Sequence, residues 1–170
     1  MDTQFFARDT GTRTYSACIF LKNAGAEAGK AKNLFKSDLK QFQRVSRIEQ
    51  RMEVYRDKFA ISFYVDNNDP ENKVTASKAA DRLIEIEGIS ASFVLYSLDN
   101  GINLSARSDG SVNVINIAKM LGGGGHFQSA GALIRENDGN GLGNVVFDVT
   151  KAEDILKEAI DNYIGITKEG

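Results

Sequence analysis

Gly122-Gly123-Gly124-Gly125-His126-Phe127-Gln128-Ser129-Ala130-Gly131-Ala132 is the stretch on which both the architecture and the chemistry turn. Four consecutive glycines remove every Cβ from a turn, so backbone N–H groups can converge on an anion without steric obstruction. His126 is the single histidine of the chain. The small residues that follow would let a second surface approach closely. A polyanion, most simply a phosphate ester, is the natural guest of such a loop.

Working outward, Asn113 can cap a helix over Val114 to Leu121, with Ile117, Ala118 and Leu121 on one face. Upstream, Ala91 to Ser97 reads as a strand, Asp99-Asn100-Gly101 as a hairpin turn, and Ile102 to Arg107 as the alternating return strand. Phe59 to Val65 is another short strand, ended by Asp66 to Pro70. Val74 to Ile86 repeats apolar residues at helical spacing, and Gly88 closes it. Downstream, Ala132-Leu133-Ile134 and Val145-Val146-Phe147 suit strands, separated by a turn-rich excursion over Asp138 to Asn144. Thr150 is the expected cap of a final amphipathic helix through Tyr163. Mixed strands and helices make residues 59–170 one α/β domain.

The N-terminal part differs. Thr14 is a plausible cap and Gly25 a plausible stop for a short helix. Residues 30–58 then hold nine basic side chains against four acidic ones, with apolar residues at Phe35, Leu39, Phe42, Val45, Ile48, Met52 and Tyr55. That spacing predicts one helix of roughly 25 residues. On it Lys36, Lys40, Arg44, Arg47 and Arg51 fall within about 80° of one another. The stripe is either a solvated face or a surface for a polyanion or an acidic neighbour.

Bulk properties narrow the class. The chain has 170 residues, 42% hydrophobic and 26% charged, with a formal net charge of −2. This is a globular composition, and the surface as a whole is no magnet for nucleic acid. Cys18 is the one cysteine, which precludes an internal disulfide and a thiolate metal site. No apolar stretch approaches the ~20 residues of a membrane span, and Met1 to Arg8 lack a secretory pattern. The expected location is cytoplasmic.

Ser105-Ala106-Arg107-Ser108 is the second chemical element. A guanidinium can fork onto two phosphate oxygens, with flanking hydroxyls adding bonds, although an arginine here can also serve a structural ion pair. Other phosphate and hydrolase motifs fit poorly. A Walker A loop needs Lys-Ser/Thr after its last glycine, and a dinucleotide fingerprint follows a strand rather than a helix. One histidine and one cysteine cannot supply a zinc protease or deaminase site, and no Gly-x-Ser-x-Gly elbow occurs.

Ser105-Ala106-Arg107-Ser108, Val112-Asn113-Val114, Gly122 to His126 and Ser129-Ala130-Gly131-Ala132 together resemble the signature of the DHHA1 domain, the substrate-binding domain of DHH-superfamily phosphoesterases. Asp2-Thr3-Gln4-Phe5, Thr10 to Thr14 and Gly25-Ala26 resemble the junction that follows the DHH domain in GdpP-type cyclic-di-AMP phosphodiesterases. The resemblance implies a bacterial hydrolase with residues 1–58 as the end of the DHH domain plus a helical linker. Residues 59–170 would be a mixed-sheet DHHA1 domain. It implies that Arg107 and the Gly123–Gly125 amides grip a phosphate, that His126 touches phosphate or base, and that Ser105 supports the loop, with Ser108 and Gly122 completing the site.

In the family two divalent ions, usually manganese, sit in the DHH domain. The Asp-His-His motif is missing here, and only Asp2 matches a metal-binding aspartate, so this chain by itself is expected to be inactive. The implied ligand is a cyclic dinucleotide or short oligonucleotide. The implied partners are a DHH domain of a longer parent, for which the resemblance leaves membrane anchoring open, and a second copy in a homodimer, which it also leaves open. Two alternatives stand beside this reading: part of an oligoribonuclease or adenosine 3′,5′-bisphosphate phosphatase, or a nucleic-acid-binding module without catalysis. A basic stripe facing the glycine loop would favour longer nucleic acids. A stripe on the far side would favour a small dinucleotide.

Overall fold

The structure is a computed structural model that describes residues 6, 10–34, 36, 38–65, 69–98, 101–136 and 144–168. The chain forms two compact units, residues 1–38 and 39–170. The first unit holds α1 (Thr12–Asn23) and α2 (Ala28–Asn33). Helix α1 starts two residues ahead of the expected Thr14 cap, after Gly11, and the Thr14 hydroxyl accepts a long bond from the Gly11 N–H. Gly25, at φ +90°, ends it as expected.

The second unit runs α3 (Leu39–Gln50), β1 (Glu53–Tyr55), β2 (Phe59–Tyr64), α4 (Asn72–Leu83), β3 (Ala91–Leu98), β4 (Gly101–Ser108), α5 (Val114–Met120), β5 (Gly124–His126), β6 (Ser129–Leu133), β7 (Arg135–Glu136), β8 (Asn144–Val145) and α6 (Val149–Lys168). The single long helix expected over residues 30–58 is corrected. Helix α2 stops at Asn33, α3 covers only residues 39–50, and β1 and its turn into β2 occupy the rest. Arg56 and Asp57 at that turn have positive φ, which no helix allows. The cap of α6 is Asp148, whose carboxylate accepts the Thr150 N–H at 2.8 Å, rather than Thr150 itself.

Six strands make one mixed sheet in the order β1-β2-β3-β4-β6-β5. Strands β2 and β3 are parallel and joined through α4, while the other neighbours are antiparallel. The β3–β4 hairpin pairs from Ala91↔Ser108 to Leu98↔Gly101, and residues 99 and 100 of its expected turn lie outside the described residues, as do 137–143 of the excursion.

Both faces of β3 are covered, which is why it reads as a continuous apolar run. Phe59, Ile61, Phe93, Leu95, Ile102 and Leu104 pack with α5 and α6 in one core. Ala60, Tyr64, Val94 and Tyr96 pack with α3 and α4 in the other. Small residues let α4 sit close: Ala76, Ala79 and Ala80 are fully buried, and the Ser92 hydroxyl donates to the Ala80 carbonyl at 2.7 Å. Helix α4 packs on β2, β3 and β4, so the same face over β6 and β5 lies beyond it.

A candidate anion site

Strand alternation decides which residues meet. On β4, Leu104 and Ala106 enter the core shared with α5 and α6, so Asn103, Ser105 and Arg107 face the other way, towards α4. Register then lays out three rows across the sheet. Tyr96, Asn103 and Leu133 form one; Val94, Ser105, Gly131 and Gly124 the next; Ser92, Arg107, Ser129 and His126 the third. A cleft of about 550 Å³ lies over these rows, lined by Ser105 and Arg107 from β4, Gly123 to His126, β6 and, from α4, Lys73 and Ser77. Tyr96 and Asn103 close one end.

The glycines act differently from a flexible turn. Gly122, at φ +76°, and Gly123 end α5: their N–H groups donate to the Lys119 and Ala118 carbonyls at 3.1 and 2.8 Å. Gly124 to His126 is a strand, not a loop, and this corrects the expectation. It runs at the sheet edge against β6, so the outward N–H and C=O groups of alternate residues are open to a ligand. A Cβ on Gly123 would run into the Gly131 carbonyl and Ala132, and one on Gly125 would lie 2.5 Å from the Ser129 oxygen. Those two glycines exist for close strand contact. Gly124 has nothing within 4 Å of its Cβ direction, and its bare backbone leaves the cleft open.

Arg107 is both an ion-pair partner and a cleft residue. Its Nε donates to Asp81 Oδ1 at 2.6 Å, and Nη1 donates to the Ala106 carbonyl at 2.9 Å and Ser105 Oγ at 3.3 Å. Its Nη2 has no partner among the described residues. The guanidinium is thus held on one side and presents its remaining N–H groups to the cleft. Ser105 in turn lies 3.3 Å from Ser77 Oγ. His126 is exposed and lines the same cleft.

Two expected site residues fall elsewhere. Ser108 follows Arg107 by one residue and so points to the opposite face. Its buried Oγ accepts the Gly110 and Val112 N–H groups at 3.0 and 3.3 Å and shapes the turn after β4. Gly122 belongs to the end of α5. Asp2 lies outside the described residues.

Charge favours an anion. Lys73 and Arg107 line the cleft, and among the described residues no carboxylate does. Sequence reading missed Lys73, Ser77, Tyr96, Asn103 and Ser129, because their meeting depends on how α4 registers against β4. The basic residues of the expected stripe are elsewhere. Arg44 pairs with Asp69 at 2.6 Å and Glu71 at 2.7 Å, and Arg51 lies over the Phe63 ring. Lys40, Arg44, Arg47 and Arg51 do not line the cleft. Among the described residues no three His, Cys, Asp or Glu side chains converge as a metal site, so these residues do not fit a dinuclear centre.

Residues 57–164 match the DHHA1 domain family. The chain is 35% identical over 165 residues to the cyclic-di-AMP phosphodiesterase PdeA of Listeria monocytogenes serotype 1/2a (strain 10403S), covering 96% of this chain and 23% of that protein. It is 43% identical over 53 residues to the bifunctional oligoribonuclease and PAP phosphatase NrnA of Thermus thermophilus, 31% of this chain and 16% of that protein. The chain therefore spans under a quarter of the length of either relative. An exopolyphosphatase-related protein from Bacteroides fragilis shares the fold, with a TM-score of 0.74 at 16% identity over 94% of this chain and 46% of that one.

Proposed function

The chain belongs to the DHHA1 domain family, and from that membership we propose that it is the nucleotide-binding part of a phosphodiesterase that hydrolyses cyclic di-AMP. The observation that carries the reading is the cleft itself. It holds a guanidinium fixed by Asp81 and Ser105, a glycine floor without side chains and, among the described residues, no lining carboxylate.

In this reading Arg107 Nη2 binds a phosphate oxygen. The open edge of β5 adds main-chain donors, and Gly124 keeps the space that the phosphate and sugar need. His126 sits at the rim, where its ring can donate to an oxygen or stack on a base. These groups bind and orient, and the water-activating ions, two manganese by family resemblance, are assigned to a DHH domain of the same longer protein. Residues 1–58 are the proposed end of that domain and its linker, and this chain alone is proposed to be inactive. The proposed setting is cytoplasmic; among the described residues no helix is long and apolar enough to cross a membrane.

Arg44 is held by Asp69 and Glu71, and Lys40, Arg44, Arg47 and Arg51 stay off the cleft lining, which favours a small dinucleotide over long nucleic acid. The short stretch shared with the oligoribonuclease and PAP phosphatase supports the second reading, a short oligoribonucleotide or adenosine 3′,5′-bisphosphate in the same cleft. Calorimetric titration of the chain with cyclic di-AMP, its linear form and a short RNA separates these. Binding of cyclic di-AMP, weakened by Arg107→Ala, is the expected result. Tightest binding of the RNA, with Arg107→Ala neutral, would overturn the reading.

A further inference from the structure

Helix α4 and strand β4 run in step. Four residues of helix rise about 6 Å and two residues of strand about 6.7 Å, so successive pairs stay matched. Asp81 meets Arg107 at 2.6 Å, and four residues back Ser77 meets Ser105 at 3.3 Å. The next step sets Lys73 at the row of Asn103, whose β3 neighbour is Tyr96. All three line the cleft. From Asn103 to Arg107 is four strand residues, about 13 Å. The cleft therefore has two ends, one with Arg107 and His126 and one with Lys73 and Tyr96.

The Tyr96 ring belongs to the core under α3 and α4, but packing explains neither its hydroxyl nor Lys73. Lys73 is exposed, and its ammonium has no partner among the described residues. It lies in the first turn of α4, which holds no acidic residue, where a positive charge opposes the helix dipole. Tyr96 is only 5% exposed, yet its hydroxyl has no hydrogen-bond partner among the described residues. A phenol is an O–H donor at neutral pH, and burial moves its pKa further up. A cation and a fixed phenol at the far end suit a second phosphate.

Resting on the nucleotide reading above, we propose that Lys73 and Tyr96 form a second anchoring pole that selects a ligand with two phosphate groups over a monophosphate. A monophosphate can satisfy only one pole. A cyclic dinucleotide, or a nucleoside bisphosphate, can address both.

The test is titration of the chain and of Lys73→Ala and Tyr96→Phe with cyclic di-AMP, adenosine 3′,5′-bisphosphate and AMP. Lys73→Ala should weaken a doubly phosphorylated probe about tenfold and AMP less than about twofold, the size of one charge-assisted bond. Tyr96→Phe keeps the ring and should cost about threefold with the same selectivity. A loss confined to cyclic di-AMP assigns the pole to a dinucleotide, and a loss shared with the bisphosphate assigns it to a compact ligand. An unchanged ratio between doubly and singly phosphorylated probes overturns the pole while leaving the Arg107 site standing. If the unmodified chain binds no probe, the nucleotide reading falls and the pole falls with it.

Discussion

One face of one sheet is used in two ways. Over β2 and β3 it carries Ala60, Tyr64 and Val94, and α3 and α4 seal it. Over β4, β6 and β5 the same rows continue as Ser105, Gly131 and Gly124, or Arg107, Ser129 and His126; α4 reaches Ser105 and Arg107 through Ser77 and Asp81 and leaves β6 and β5 to line the cleft. The change happens within single rows, between Val94 and Ser105 or between buried Ser92 and Arg107. Pairing also changes, from parallel between β2 and β3 to antiparallel from β4 to β5, and side-chain chemistry together with the reach of α4 separates a sealed core from a binding cleft. The sealed half should respond to substitution in stability and the open half in affinity.

The largest effect is expected where a glycine seats the end of α5 against β6. Gly123→Val should cost about 4 kcal/mol or prevent folding, because its side chain would meet the backbone of β6. Thermal melting measures it. Gly124→Val, one residue on, meets nothing and should leave the melting temperature within about 3 °C. It should lower cyclic di-AMP affinity by about a hundredfold, because the valine fills the cleft floor. Equal melting losses in both variants would erase the distinction between the two glycines.

In the sealed half, Leu83→Ala removes a side chain that is 1% exposed and should destabilise the chain by about 3 kcal/mol in urea unfolding. Nucleotide affinity of the folded fraction should be unchanged. Arg107→Ala should do the reverse, weakening cyclic di-AMP about thirtyfold. Its melting cost should stay under about 1 kcal/mol, since its partner Asp81 is half exposed.

The smallest effect is electrostatic and lies away from the cleft. Asp161 is held below the usual carboxylate range by hydrogen bonds from Arg56, then from Tyr55, and Asp69 by the Glu71 N–H and then Arg44. A depressed folded pKa gives stability that is present above about pH 4, the unfolded value, and lost as pH falls through the lower folded value. Melting temperature should therefore drop on acidification below about pH 4, and Arg56→Ala should flatten that drop. An identical acid profile in the variant would remove Asp161 from the account.

Much of the sealed half could be read along the chain. Strands β2, β3 and β4 and helices α4 and α5 were expected from periodicity and turn residues, because burial imposes regular patterns. Strand β1 was hidden: Met52 and Tyr55 continue the three-to-four spacing of α3, and three residues are too few to show alternation. Strand β5 was hidden because glycine has no preference for strands, and its pairing comes from close approach to β6. Arg107, Ser105 and Gly124 were legible as chemistry. Ser108 was misplaced because adjacent strand residues face opposite ways. Lys73 and Tyr96 could not be read, since each is an ordinary helix or strand residue until α4 is laid against β4.

The central claim is that the cleft between Arg107 and the glycine strand receives a nucleotide phosphate. The most direct measurement is the backbone amide NMR spectrum of the chain as cyclic di-AMP is added. Saturable shifts concentrated at Gly124, Gly125, His126, Ser105 and Gly131 are the predicted result. Shifts concentrated on α3 around Lys40 and Arg47, with the glycine strand unmoved, would contradict it.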